Sequence, residues 1–217
     1  MKGPSDTEFV IVRHGQTVAN RTHILQGRME SPLDECGLRQ AAALAERLRD
    51  EPFDRIFSSS LRRAEQTAEA IRAYHPGVPF ESLDDLREWA LGDLEGRPLA
   101  QLEKEYPEIM AAFRQETGDL LIPGGETQSA FARRVSDCLD RLADRHPGGR
   151  LLLVTHGGVL RSVFRKVIGK VTSGNLLPFS DNASINVFRR RPSGWQMISW
   201  NDSAHLRGIG TSDLLTY

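Results

Sequence analysis

Residues 9–17, FVIVRHGQT, set four consecutive apolar residues directly against an arginine, a histidine and a glycine. A run of this kind reads as a strand buried on both faces, and the polar residues that follow stand at its end. Much later, residues 151–154 repeat the apolar run and pass into Thr155, His156, Gly157 and Gly158. As neighbours in one parallel sheet, the two strands place both histidines at its carboxyl edge. That edge is where open α/β sheets bind ligands.

The pattern around the two strands alternates. Asp34 caps a helix to about residue 49, with Leu38, Ala41, Ala45 and Leu48 at helical spacing. A short strand at 55–57 follows, then a helix capped by Ser60 with Leu61, Ala64, Ala68 and Ile71 on its buried face. Residues 80–83 read as extended. Helical pattern runs from 99 to 113 with an interruption at Pro107, and a glycine-containing turn at 121–129 leads into a helix over 127–145. Phe131, Val135, Cys138, Leu139 and Leu142 mark its apolar face, and Pro147 and Gly148 stop it. Beyond the second histidine come a helix over 159–168, a loop at 176–183, and two strands at 184–188 and 195–200 forming an antiparallel hairpin. Strands separated by helices of this length predict a three-layer α/β/α sandwich with a mostly parallel central sheet. A single domain over residues 1–217 is expected, with residues 98–125 as a helical excursion over the site at the sheet edge.

Charge excludes little but is instructive. The 28 basic and 29 acidic residues leave a net charge of −1, so nothing in the whole-molecule balance calls for nucleic acid or a membrane surface. Cys36 and Cys138 are too few for a disulfide framework. The first residues lack an apolar signal core, and no apolar stretch approaches the length of a membrane span. A cytoplasmic protein is expected.

The chemistry concentrates in a few places. Residues 14–33 form a polar, irregular stretch in which Asn20, Arg21, His23, Gln26 and Arg28 are able to bind an anion. Arg62 and Arg63 fall in the first turn of a helix, where the macrodipole disfavours a cation unless an anion sits beside it. Only one of the two can point toward the sheet. Glu88 sits among Leu86, Trp89 and Leu91, surroundings that suit a carboxyl group to acid work, although a solvent-facing glutamate fits the pattern equally. Arg13, His14, Arg63, Glu88 and His156 together describe phosphoryl transfer to a histidine nucleophile: imidazole attacks phosphorus, arginines stabilise the equatorial oxygens, and a carboxylic acid protonates the leaving oxygen. No metal or cofactor is required. Metal ligation by His14 and His156 is the competing reading, but no HExxH or CxxC accompanies them, and no phosphate-binding GxxxxGK[ST] loop is present.

With RHGQT at 13–17, SSSLRRAEQTA at 58–68, LREWALGDLEG at 86–96, PGGET at 123–127 and VTHGGVLR at 154–161, the chain resembles the histidine phosphatase superfamily. The resemblance is to the branch of phosphoglycerate mutases and their phosphatase relatives, and it implies the phosphoglycerate mutase-like fold. It makes His14 the phosphorylated nucleophile, His156 the second pocket histidine, Arg13 and Arg63 phosphate ligands and Glu88 the acid. It places Asn20, Gln26 and Gly27 in the phosphate or substrate pocket, with Arg21 a nearby candidate. Ala19, Met29 and Glu30 depart from residues common in relatives. The implied function is a metal-independent phosphomonoesterase acting on a small phosphorylated metabolite, with a homodimer left open. A phosphoglycerate mutase and a non-catalytic binding protein on the same fold are the alternatives; the short middle segment favours the phosphomonoesterase over the mutase, and the intact central residues oppose the binding protein.

Overall fold

The computed structural model describes residues 5–115, 119–169 and 178–209. In chain order these form β1 (Thr7–Arg13), α1 (Val18–Arg21), β2 (Ile24–Leu25), α2 (Glu35–Leu48), β3 (Arg55–Ser59), α3 (Arg62–Arg72), β4 (Phe80–Leu83), β5 (Arg97–Pro98), α4 (Leu99–Glu105), α5 (Pro107–Gln115), α6 (Gln128–Arg145), β6 (Arg150–Thr155), α7 (Gly157–Ile168), β7 (Ile185–Arg191) and β8 (Gly194–Asp202). Short 3-10 turns at Asp84–Leu86, Gly92–Leu94 and Ala204–Leu206 complete them.

The main sheet has the order β4-β3-β6-β1-β7-β8. β4, β3, β6 and β1 run parallel, while β7 and β8 add an antiparallel hairpin at the side of β1. Arg13 is in register with Thr155, so His14 and His156 leave the sheet at the same level of its carboxyl edge. The first strand shows why the sheet carries helices on both faces. Phe9 and Ile11 join the core formed with α6 and α7, whereas Val10 and Val12 join the one formed with α2 and α3. All four are at most 1 % exposed, and burial of each contributes about 1.5–3 kcal/mol. The chain is therefore a three-layer α/β/α sandwich with a largely parallel sheet.

Local differences from the sequence reading have physical causes. Leu38 is 52 % exposed, and Leu44 and Gln40 occupy the buried face of α2 instead. The rotation of that helix is set by Gly37: a Cβ there would lie 1.9 Å from the Gln16 carbonyl oxygen, so only glycine permits the approach. Ser60 does not cap α3. Its hydroxyl donates to Asp84 at 2.6 Å, and the Arg62 amide is met by the Glu30 carboxylate at 3.3 Å. The stretch 14–33 is not wholly irregular: Thr17 and Asn20 form a capping box on α1, and β2 pairs with β5. Proline opens α5 rather than breaking one long helix, as its missing N–H allows at a helix start. The loop at 176–183 is described only from Pro178. Among the described residues no helix is long and apolar enough to cross a membrane.

Candidate active site

His14 and His156 face each other at the sheet edge with ring centroids 5.1 Å apart and planes inclined by 60°. Nδ1 of His14 lies 2.7 Å from the Gly15 carbonyl oxygen. A carbonyl only accepts, so this contact fixes the hydrogen on Nδ1 and leaves a lone pair on Nε2. Arg63 Nε donates between the two rings, at 3.3 Å to His14 Nε2 and 3.2 Å to His156 Nδ1. His156 then carries its hydrogen on Nε2, which donates to the Ser59 hydroxyl at 2.7 Å. Burial, followed by the charges of Arg63 and Arg13, holds His14 well below the usual imidazole value, against the pull of the Gly15 carbonyl. Burial and Arg63 do the same to His156. Both rings are neutral at physiological pH.

Arg63 is the inward member of its pair and is 1 % exposed. Its terminal nitrogens donate to the carbonyls of Met29 at 3.0 Å and Gly27 at 2.7 Å, which fixes the guanidinium against the helix end. Burial lowers it to about 10, with Glu88 and Glu30 opposing, so it stays a cation. Arg62 turns outward to Glu69. Arg13 donates to the Ser180 carbonyl at 2.6 Å. The N-termini of α3 and α7 reach the same edge, adding the amides and dipoles that favour an anion.

Glu88 accepts N–H bonds from Trp89 and, across the site, from Gly158 in the first turn of α7, both at 2.9 Å. Gly158 is required for this: a Cβ there would stand 2.2 Å from a Glu88 carboxylate oxygen. Gly158→Ala is accordingly expected to lower kcat by about 10²-fold through displaced geometry, with little change in melting temperature. Steady-state kinetics beside thermal unfolding checks it.

A network absent from the sequence reading positions that loop. Arg134 donates to the carbonyls of Asp85, Arg87 and Glu88, and Arg28 also reaches the Glu88 carbonyl at 3.3 Å. Both arginines pair with Glu126, which also receives the Ala90 amide. Burial works against ionisation of Glu126, but the Arg134 hydrogen bonds and the amide outweigh it and hold its carboxyl below the usual value. PGGET hinted at a turn; nothing in its spacing pointed to Arg134.

A cavity of about 490 Å³ opens over these groups. Arg13, His14, Asn20, Gln26, Gly27, Arg63 and Glu88 line it, while His156 lies beneath them, fully buried. The Thr17 hydroxyl donates to Gln26, and the Asn182 amide reaches the carbonyl of His14 and the side-chain oxygen of Asn20. Arg21 is not brought in: its side chain is 64 % exposed and pairs with Asp34, because α1 turns it to the outer face. Arg28 is committed to Glu126, so of the three basic residues expected in this loop only His23 lines the cavity. Trp89, stacked between Phe113 and Phe131, supplies an aromatic wall.

Two neutral buried imidazoles predict a sign for stability against pH. Below 6.5 the unfolded chain takes up protons that the folded site refuses, so stability falls with falling pH until the lowered folded values are reached. Each ring adds up to about 1.4 kcal/mol per pH unit to that slope. Urea unfolding between pH 7 and 5.5 is expected to show a shallower fall in His14→Asn than in the parent.

Comparison with known proteins agrees with this geometry. Residues 9–203 match the model of the histidine phosphatase superfamily (branch 1). The chain is 40 % identical over 206 residues to a metal-independent phosphoserine phosphatase of Arabidopsis thaliana, covering 94 % of this chain and 85 % of that protein. It is 34 % identical over 204 residues to the probable phosphoglycerate mutase GpmB of Yersinia pestis, covering 92 % and 94 %. The structure of a mycobacterial glucosyl-3-phosphoglycerate phosphatase superposes with a TM-score of 0.82 at 29 % identity, over 91 % of this chain and all of that one. The chain belongs to branch 1 of the histidine phosphatase superfamily, an enzyme of the hydrolase and mutase kind built on this fold.

Proposed function

We propose that the protein is a metal-independent phosphomonoesterase that transfers the phosphoryl group of a small phosphorylated metabolite to His14 and then to water. The observation that carries this reading is the hydrogen-bond pattern of the two imidazoles: a carbonyl fixes the proton of His14 on Nδ1 and leaves the Nε2 lone pair beside two arginines. In the first step Nε2 attacks phosphorus, the bond from phosphorus to the ester oxygen breaks, and Glu88 gives that oxygen its proton. In the second, Glu88 takes a proton from water, whose oxygen attacks phosphorus and breaks the P–N bond. Inorganic phosphate leaves, and His14 and protonated Glu88 are restored.

Arg13 and Arg63 are assigned to the equatorial oxygens, where fixed donors act without reorganising, and His156, whose hydrogen goes to Ser59, is assigned to holding Arg63 through Nδ1. Asn20, Gln26 and the Gly27 backbone are assigned to the substrate. Arg21 is left out of that set by its outward side chain. Of the segment 98–125, α5 is assigned to the cavity's cover, since its Phe113 lies on the wall.

The test is phosphate release from a panel of sugar phosphates, phosphoglycerates, phosphoserine and nucleoside monophosphates, run in excess EDTA. Release that survives chelation is the expected result. Activity lost to EDTA and returned by zinc overturns the metal-free scheme, and exchange between 3- and 2-phosphoglycerate without net release replaces the phosphatase with a mutase.

A further inference from the structure

The peptide that follows His14 is held from both sides by residues far from it in sequence. Its carbonyl, that of His14, accepts the Ala183 amide at 3.1 Å and the Asn182 side-chain amide at 3.0 Å. Its N–H, that of Gly15, donates to the Thr67 hydroxyl at 3.1 Å. The next two amides are taken in the same way, Gln16 N–H by the Gln40 side chain at 2.8 Å and Thr17 N–H by that of Asn20 at 3.1 Å. Three consecutive amides at a strand end could form a nest for an anion. Here they are spent on side chains of α3, α2 and α1, so this turn is built to hold the strand end still.

Thr67 also reaches the arginine that lies between the two imidazoles. Its hydroxyl donates to the Arg63 carbonyl, one turn earlier on α3, at 2.9 Å. A carbonyl only accepts, so the single hydroxyl proton goes to Arg63 and a lone pair goes to Gly15. Thr67 is fully buried, and Gly15 is buried beside it, so bulk water does not stand in for either bond. One hydroxyl thus ties the backbone behind His14 to the backbone that carries Arg63.

We propose that Thr67 is a positioning residue for the nucleophile: its hydroxyl fixes the Gly15 backbone so that the Gly15 carbonyl keeps the hydrogen of His14 on Nδ1. This rests on the phosphatase reading above. The Gly15 N–H and C=O share one α-carbon, and a glycine offers little resistance of its own to rotation. What the N–H is bonded to therefore decides where the carbonyl points. With the carbonyl 2.7 Å from Nδ1, the Nε2 lone pair is available to phosphorus. With the carbonyl turned away, the ring is able to carry its hydrogen on Nε2, which removes that lone pair and sets N–H against the Arg63 Nε–H.

The experiment compares Thr67→Val, which removes the hydroxyl at similar volume, with Thr67→Ser, which keeps it. The first readout is ¹⁵N NMR of the histidine rings at neutral pH, with the His14 signals assigned by their loss in His14→Asn. The parent and Thr67→Ser are expected to show a protonated Nδ1 and an unprotonated Nε2, and Thr67→Val a mixture of the two tautomers. The second readout is the burst with p-nitrophenyl phosphate, expected to fall by about 10–100-fold in Thr67→Val and to return in Thr67→Ser. Inorganic phosphate should bind Thr67→Val within about threefold of the parent, since both arginines remain. A folded Thr67→Val that keeps the parent's tautomer, or bursts within about threefold of the parent, overturns the proposal even if its melting temperature falls. So does a Thr67→Ser that loses as much as Thr67→Val. Should Thr67→Val fail to fold, hydrogen exchange of the Gly15 amide in the parent and in Thr67→Ser decides. Protection like that of the central amides of α3 is expected, and exchange at the rate of an exposed loop amide overturns the proposal. Absence of burst and of phosphate release in the parent is a separate result: it removes the phosphatase reading and leaves the tautomer comparison standing.

Discussion

Turnover is expected to fall by at least about 10⁴-fold in His14→Asn, because no other group at the sheet edge is placed to accept the phosphoryl group. That loss corresponds to about 5.4 kcal/mol of transition-state stabilisation. The arginines and the amides of α3 and α7 remain, so phosphate and its analogues should still bind. Removing the ring leaves a small void beside His156, but it also removes one imidazole that folding must keep neutral. The variant should therefore fold, with a melting temperature close to the parent's. Turnover within about tenfold of the parent would remove His14 from the nucleophile position.

The second large effect belongs to Glu88, and it depends on the leaving group. In Glu88→Gln, phosphoryl transfer from an alkyl phosphate is expected to slow by about 10²–10⁴-fold, since an alkoxide needs its proton as it departs. Transfer from p-nitrophenyl phosphate should slow far less, because nitrophenolate leaves unaided. The rate to read is the first-turnover burst, which isolates transfer to His14 from the later attack by water. The glutamine also gives up one of the two N–H bonds that the carboxylate accepts from Trp89 and Gly158. Distortion from that loss affects both substrates alike. Equal slowing on both would reduce Glu88 to a positioning residue.

Much of this site was legible in the chain because its parts are local. An apolar run that ends in RHG states both a strand and what stands at its end, and the same holds for the run before His156. Their register in adjacent parallel strands then follows from burial on both faces. The offset of neighbouring residues on a helix allowed only one of Arg62 and Arg63 to face the sheet, the family resemblance pointed to Arg63, and Arg63 is the one that is buried. Legibility ended where a residue's role depends on an element far away in sequence. Arg134 holds the Glu88 loop from the middle of α6, and Arg21 and Arg28 look alike in a polar loop until α1 turns one outward and Glu126 captures the other. Leu38 carried the right period and still failed, because the rotation of α2 is set by a close backbone approach at Gly37.

In the proposed mechanism the phosphoryl group resides covalently on His14 between the two steps. Rapid quenching of the enzyme with a ³²P-labelled substrate, followed by peptide mapping, tests it most directly. Label is expected on the peptide containing His14, stable in alkali, lost in acid as a phosphoramidate should be, and absent in His14→Asn. Parent enzyme that turns over rapidly while no label appears on protein at any quench time, or label that maps to another residue and persists in His14→Asn, would contradict it.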